Sequence, residues 1–301
     1  MNKDVVLNIY ILNWNQPELT LGCVHSLLNQ SGSLDYRIFI IDNGSTDDSV
    51  KIFNQNFPNI DVLRNESNLG FQGGMNRGIQ HAQAAGVEYT LLLNNDTIAH
   101  PAMLQTLLEN FPKDAALVSP GIYFYENREL LCSLGGDFHP ILLEVLGKPD
   151  AFYYPPKEIQ RYEFLPSHAW LIKTEVFDTV GLLDEIFFPI YYDDLDYCLR
   201  LKHLGYSAYL IPQAKIYHRV SMSVGGRNTP KERYLMARNS GYYFRKNMKL
   251  WQAPFIFCFR IGSGIYWTFR LMIKKNRESI KSYWKGFKDG WFRKLPEKNK
   301  K

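Results

Sequence analysis

"EYTLLLNNDTIAHP", residues 88–101, decides the fold. Three leucines after Tyr89 and Thr90 form a short, continuous apolar run. Such a run suits a strand buried on both faces of a sheet. It leads straight into Asn94, Asn95 and Asp96, and Pro101 closes the segment. A buried strand that delivers one carboxylate flanked by amides at its tip raises the expectation of a ligand site there.

Working back from this strand, the same unit recurs. "VVLNIYIL" (5–12) reads as a strand, and "NQPELTLGCVHSLLNQS" (15–31) as a helix with Pro17 near its first turn and Leu21, Val24, Leu27 and Leu28 on one face. "YRIFII" (36–41) is a second strand, followed by a polar turn (42–47) and a helix. "IDVLR" precedes a glycine-rich loop and a helix that ends at Gly86. Strands alternating with helices imply an α/β fold with a mostly parallel sheet covered on both faces. Right-handed crossovers bring the strand C-termini to one rim, where ligands bind in open α/β sheets. The segments at that rim are "NWN", "DNGST", "NLGFQGG" and "NNDT". Between 111 and 165 the pattern weakens, with turn signals in "GGDFHP" and "YYPP". Order resumes with a strand and short helix (164–180), a helix (194–204) closed by Gly205, and a strand (207–211).

Charge divides the chain unevenly. Residues 1–230 hold 16 Lys and Arg against 26 Asp and Glu, whereas residues 231–301 hold 19 against 4. The net values are −10 and +15, and 16 of the 44 aromatic residues lie in the last 71 positions. A basic, aromatic tail suits an anionic membrane surface or nucleic acid. Its longest apolar stretch, 253–269, is split by Arg260 and falls short of the roughly 20 residues a spanning helix needs. It is expected to lie on a membrane rather than cross one. The four cysteines are far apart and form no CxxC pair, which argues against a zinc site or a disulfide framework and suits reduced cytosolic thiols. The N-terminus shows no long apolar signal region.

Each polar cluster has an ordinary account beside a functional one. Asn43 to Asp48 fit a turn and helix cap. Asp42, directly on a strand end, fits the donor groups of a nucleotide base or ribose. The glycines at 70, 73, 74 and 78 match neither a dinucleotide nor a P-loop fingerprint. They fit a tight strand–helix connection, or a backbone that approaches a ligand with Asn68, Asn76 and Arg77 nearby. Asp96 fits a cap or a hard-cation ligand, since Mg²⁺ needs only one or two carboxylates when phosphates complete its shell. Asp193, Asp194 and Asp196 crowd a helix start, beyond what capping requires. Asp196 and Arg200 are spaced to pair along the helix, and a partly buried Asp194 suits a general base. His218 follows a strand, where a lone histidine is more often structural.

Taken in order, "ILNWNQPELTLGCVHSLLNQS", "IIDNGSTDDSV", "NLGFQGGMNRGI", "LLLNNDT", "GLLDEIFFPIYYDDLDYCLRLKHLGY" and "IYHRVSMS" cover most of residues 5–223. This ordered set resembles glycosyltransferase family 2, and within it the bacterial rhamnosyltransferase-like enzymes of surface-polysaccharide assembly. The resemblance implies a GT-A fold, with a nucleotide-sugar half (1–110), an acceptor and catalytic half (111–230) and a basic helical extension (231–301). It implies a nucleotide-diphosphate sugar donor, dTDP-rhamnose or a UDP-sugar, held by Asp42 among Asn13, Asn43, Asn68, Gly70, Asn76, Arg77, Asn94 and Asn95. Asn94-Asn95-Asp96 stands at the family's DxD-type motif, so Asp96 would carry Mg²⁺ or Mn²⁺, with His218 as a further ligand. Asp193-Asp194 stands at the acidic pair, with Asp194 as the base of an inverting displacement. Ser167, His168 and Trp170 fall in the acceptor-side loop, where many relatives have Gly at the position of His168.

The implied acceptor is a saccharide or lipid-linked saccharide at the inner face of the cell membrane, reached from the cytoplasm, with no nucleic-acid partner. Two other classes stand beside this one. A sugar-phosphate nucleotidyltransferase would want a basic triphosphate loop early in the chain, where only Lys3 and Arg37 are found before residue 50. A non-catalytic glycan- or nucleic-acid-binding protein would not need Asp96, Asp194 and His218 together.

Overall fold

A computed structural model describes residues 6–146, 154–219 and 228–296. Residues 220–223, the end of the family-like stretch "IYHRVSMS", lie outside the described residues. The first half alternates as expected: β1 (Leu7–Asn13), α1 (Pro17–Leu28), β2 (Tyr36–Asp42), α2 (Ser49–Asn56), β3 (Asp61–Arg64), α3 (Gly70–Ala85), β4 (Tyr89–Asn94). A short β5 (Thr97–Ala99) and α4 (Met103–Glu109) follow. The second half contains β6 (Ala115–Phe124), β7 (Leu131–Ser133), β8 (Gln160–Tyr162), β9 (Ala169–Lys173), α5 (Val176–Val180), α6 (Asp193–His203) and β10 (Ser207–His218). Three helices close the described chain: α7 (Pro230–Asn247), α8 (Ala253–Ile273) and α9 (Arg277–Phe292).

One sheet runs through the molecule in the order β3-β2-β1-β4-β9-β6-β10-β5. β3, β2, β1 and β4 are parallel, but β9 is antiparallel to both β4 and β6, and β5 is antiparallel to β10. The mostly parallel expectation therefore holds for the first half only. Period-two alternation sorts the strands between two cores. Ile9, Ile11, Leu91 and Leu93 face α1 and α4 residues such as Val24, Leu27 and Leu104. Tyr10, Ile41 and Leu92 face the opposite core, with Met75, Ile79, Trp170 and Tyr197. Each such side chain contributes about 1.5–3 kcal/mol on burial.

β6 occupies the stretch where the sequence pattern weakens. Pro120 and Gly121 look like a turn, yet both are buried within the strand. Pro120 pairs with Ile211 and Gly121 with Lys215, so residues 212–214 of β10 bulge out of the ladder opposite them. That bulge carries β10 on to His218, well past the expected end at 211.

α7, at the start of the basic stretch from 231, packs into the body of the described chain. Tyr242, Tyr243 and Phe244 of α7 belong to the same core as Trp170 and Tyr197. α7 starts on a sequence-encoded cap: the Thr229 Oγ accepts from the Glu232 N–H at 3.2 Å, Pro230 takes the first turn, and Glu232 accepts from the Asn228 N–H. α9 packs on α7 at backbone distance. A Cβ on Gly286 would lie 2.2 Å from the Tyr234 carbonyl oxygen, and one on Gly290 would lie 2.3 Å from that of Arg238.

Candidate active site

The parallel register places Asn13 beside Asp42 and Leu12 beside Asn94 at the C-terminal rim. Asp42 is fully buried. Its Oδ1 accepts from Asn13 Nδ2 at 3.2 Å and its Oδ2 from the Ser45 N–H at 3.2 Å, and Arg64 lies 3.6 Å away. Asn13 is held in turn by Thr20, whose hydroxyl donates to Oδ1 at 2.9 Å. Asn43 donates to Asn68 Oδ1 and the Gly70 carbonyl, and accepts from Asn65 Nδ2 and the Leu69 N–H. The loop is drawn close enough to demand glycine: Gly44 has φ +70° and an added Cβ would lie 2.5 Å from the Ser67 backbone.

These strand ends border a cleft of about 650 Å³, within the range of small-molecule sites. Leu12, Trp14, Phe71 and Phe188 give it apolar walls, and Asn43, Asn68, Asn94 and Asn95 give it amides. Asn95 Nδ2 donates to the Thr20 hydroxyl at 3.1 Å. Asn94 is different: its Oδ1 is buried with no hydrogen-bond partner among the described residues, while its backbone N–H donates to the His168 carbonyl at 3.0 Å. A buried unpaired amide oxygen is costly, which is a reason to expect a donor in the cleft.

Asp96, next along, is buried. β5 and β10 pair so that Thr97 lies opposite His218, and this brings His218 Nε2 to 3.2 Å from Asp96 Oδ2. The bulged extension of β10 thus carries the histidine to the carboxylate across more than a hundred residues of chain. His168 stacks edge-on against His218 with ring centroids 4.4 Å apart; burial, then the nearby His218, push its pKa down to about 3, so it is neutral. Among the described residues no group of three or more His, Cys, Asp or Glu is placed to hold a metal. Asp96 and His218 fit a divalent cation as a two-ligand oxygen–nitrogen set whose remaining positions are open to phosphate.

The acidic turn is shaped by two left-handed residues, Tyr191 (φ 82°) and Tyr192 (φ 70°), immediately before α6. Bulky residues seldom adopt this conformation, so surrounding contacts must hold it. Asn239 of α7 does so, donating from Nδ2 to the carbonyls of Phe187 at 2.7 Å and Ile190 at 2.8 Å. Asp193 is buried and Asp194 half-buried. Burial raises both carboxyls above the usual range; Asp194's charge adds to the rise at Asp193, and Glu144 adds to that at Asp194. Asp194 accepts from the Leu195 N–H at 2.9 Å and from the Ser167 N–H, which partly offset its burial. Asp196 is a structural anchor: it pairs with Arg200 at 3.0 Å, as the spacing predicts, and with Lys246 of α7 at 2.7 Å.

Several expected site residues stand elsewhere. Asn76 is buried against the 183–185 segment, exchanging both amide groups with the Leu183 backbone at 2.9 Å. Arg77 is exposed and does not line the cleft. Gly74 and Gly78 serve packing, because a Cβ on either would strike Leu12 or Tyr10 of β1. Trp170 is 1% exposed and lies 5.5 Å from the Tyr197 ring, in the core rather than facing an acceptor. Sequence reading missed Lys231 and Leu235, which line the cleft from α7, and Asn239. Only the Thr229–Glu232 cap signals a helix there, and nothing local tells where it docks.

A mixed sheet with a polar rim over a cleft is a GT-A-like architecture. The chain belongs to glycosyl transferase family 2, whose model matches residues 9–181. It is 27% identical over 82% of its length to the uncharacterized protein y4gI of Sinorhizobium fredii, of which it spans only 28%. It is 25% identical over 72% of its length, and 77% of the relative's, to N-acetylglucosaminyl-diphospho-decaprenol L-rhamnosyltransferase of Mycobacterium tuberculosis. Its fold is similar to that of the mannosyltransferase PcManGT from Pyrobaculum calidifontis in complex with GDP-Man and Mn²⁺, at TM-score 0.59 and 12% identity, covering 97% of this chain and 89% of that one.

Proposed function

We propose that this protein is an inverting glycosyltransferase that moves a sugar from a nucleoside-diphosphate donor to a hydroxyl of a saccharide or lipid-linked saccharide in surface-polysaccharide synthesis. The mycobacterial relative, named for L-rhamnosyl transfer to a decaprenyl diphosphate-linked sugar, favours dTDP-rhamnose as donor, with a UDP-sugar next. The acceptor is met at the cytoplasmic face of the cell membrane. The observation that carries the reading is the half-buried Asp194, its carboxyl raised by burial, in an acidic turn held rigid by Asn239.

Asp42, fixed by Asn13 and Ser45, takes the donor groups of the nucleoside. The Asn94 amide and Lys231 face the donor in the cleft. Asp96 and His218 would hold Mg²⁺ or Mn²⁺, which supplies charge neutralisation for the diphosphate leaving group. Asp194 accepts the proton of the acceptor hydroxyl as its oxygen bonds to the anomeric carbon. The bond from that carbon to the diphosphate oxygen breaks on the opposite face, which inverts the configuration. A carboxyl raised toward neutrality is a better proton acceptor than an ordinary aspartate. His168 and Ser167 border this region through their backbone contacts to Asn94 and Asp194.

The test is Asp194→Asn, assayed with a panel of nucleotide sugars and Mn²⁺. Transfer is expected to fall at least about 10²-fold, while the donor still raises the melting temperature by mass action. Retained turnover would assign the base to another carboxylate.

A further inference from the structure

The three C-terminal helices are not equally covered. α8 turns Ile256, Arg260, Gly264 and Leu271 inward. Its opposite side is a stripe of exposed side chains: Trp251 just before the helix (55% exposed), then Phe255 (55%), Ile265 (61%), Phe269 (64%), Met272 (62%) and Ile273 (68%). At 3.6 residues per turn all six project within an arc of about 100°, so they share one face. At about 1.5 Å per residue the stripe is roughly 33 Å long. An uncovered apolar face of this length is unusual on a free monomer.

The charges around it say what covers it. Residues 249–277 contain six Lys and Arg and no Asp or Glu. Arg260 is buried, whereas Lys249 before the stripe, and Lys274, Lys275 and Arg277 after it, are exposed. The covering surface must therefore be apolar along the helix and anionic at both ends. A spanning role does not fit: no helix among the described residues is long and apolar enough to cross a membrane, and α8 buries Arg260 toward the protein. Helices of this pattern lie in the headgroup–acyl boundary, with basic side chains reaching the phosphates.

We propose that α8, and not the 231–301 region as a whole, docks this protein on an anionic lipid bilayer, lying in its interface with the Trp251–Ile273 stripe buried. α7 and α9 are committed to the core and to each other, so they are not available for this contact. The inference rests on the reading of a lipid-linked acceptor and gives it a geometry. Arg260 lies 3.6 Å from Glu144 and donates to the Ser240 hydroxyl at 3.0 Å, and Glu144 accepts from the Tyr192 hydroxyl at 3.1 Å. Tyr192 immediately precedes Asp193 and Asp194. The lipid-facing helix is thus tied through its buried face to the turn that carries the base.

Vesicle flotation of the full chain tests this. Wild type is expected to float with phosphatidylglycerol-containing vesicles and much less with pure phosphatidylcholine, and to be released by salt. The triple variant Phe255→Ser, Ile265→Ser, Phe269→Ser changes only exposed positions. It is expected to lose about a hundredfold or more in partitioning, keep its melting temperature and keep the thermal shift with dTDP or UDP. Lys274→Glu with Lys275→Glu is expected to weaken binding to the anionic vesicles only. The proposal is overturned if wild type does not float at low salt, or if the triple variant floats equally well. It is equally overturned if the stripe mediates a dimer, dispersed by the triple variant, with no vesicle binding. A wild-type protein that floats but shows no nucleotide-induced shift would count against the donor site and leave the docking surface standing.

Discussion

Asp193 and Asp194 hold their protons more tightly in the fold than in the unfolded chain, because burial penalises the ionised form. For a carboxyl raised in this way, the folded state is favoured below the ordinary carboxylate pKa. That contribution is lost as pH rises through the raised value. On the proposed mechanism activity has the opposite slope, since Asp194 would act as base only when ionised. The acid limb of kcat/KM is expected above the usual carboxylate range, measured as a pH profile with saturating Mn²⁺. Glu144→Gln removes the charge that adds to the rise at Asp194 and should move that limb to lower pH, while Asp193→Asn removes a carboxyl raised by burial, so its melting temperature should fall less than wild type's between pH 5 and 8. An unmoved limb would separate Glu144 and Asp194 electrically. At Asp96 the expectation concerns binding: Asp96→Ala should abolish the tightening of nucleoside-diphosphate binding by Mn²⁺ in calorimetry, leaving the metal-free affinity in place. At this scale the sequence was informative where a residue type is rare for its position, such as a carboxylate ending a buried strand. It was silent where a side chain's direction depends on the face of its element, the helix at Asn76 and Arg77 and the strand at Trp170.

Elements are joined here by close approach and by buried polar ties. An exposed helical Gly→Ala change usually adds stability of up to about 1 kcal/mol. At Gly286 the added methyl meets the Tyr234 carbonyl at 2.2 Å, backbone that cannot rotate away. Gly286→Ala is therefore expected to destabilise by about 1–3 kcal/mol, seen as a lower denaturant midpoint. The Arg260–Glu144 tie joins α8 to the acidic turn. Arg260→Met would strand a half-buried Glu144 whose carboxyl is already raised by burial, at a cost of about 1–3 kcal/mol. Adding Glu144→Gln should recover much of that loss, which a double-mutant cycle measures directly. The first four strands and three helices were readable from periodicity. β6 was not, because Pro120 and Gly121 imitate a turn and only the bulge in β10 accommodates them.

Across the whole molecule, α7 is built into the cleft and the core. Lys231 and Leu235 wall the cleft, and Asn239 holds the loop before the acidic turn. A chain cut after residue 229 would expose the core that Tyr242, Tyr243 and Phe244 fill. It is expected to be insoluble or loosely packed, without the sharp thermal transition of the full chain; a well-folded 1–229 fragment would refute this dependence. By itself the sequence determined the alternation of strands and helices, the rim on which Asp42 and Asp96 sit, and the family, because these follow from local periodicity and short ordered motifs. Only the tertiary structure decided that β9 enters between β4 and β6 and runs against both, that His218 meets Asp96, and that α7 belongs to the cleft while α8 faces outward. Those outcomes depend on contacts between residues far apart in the chain, which packing selects and no local pattern encodes.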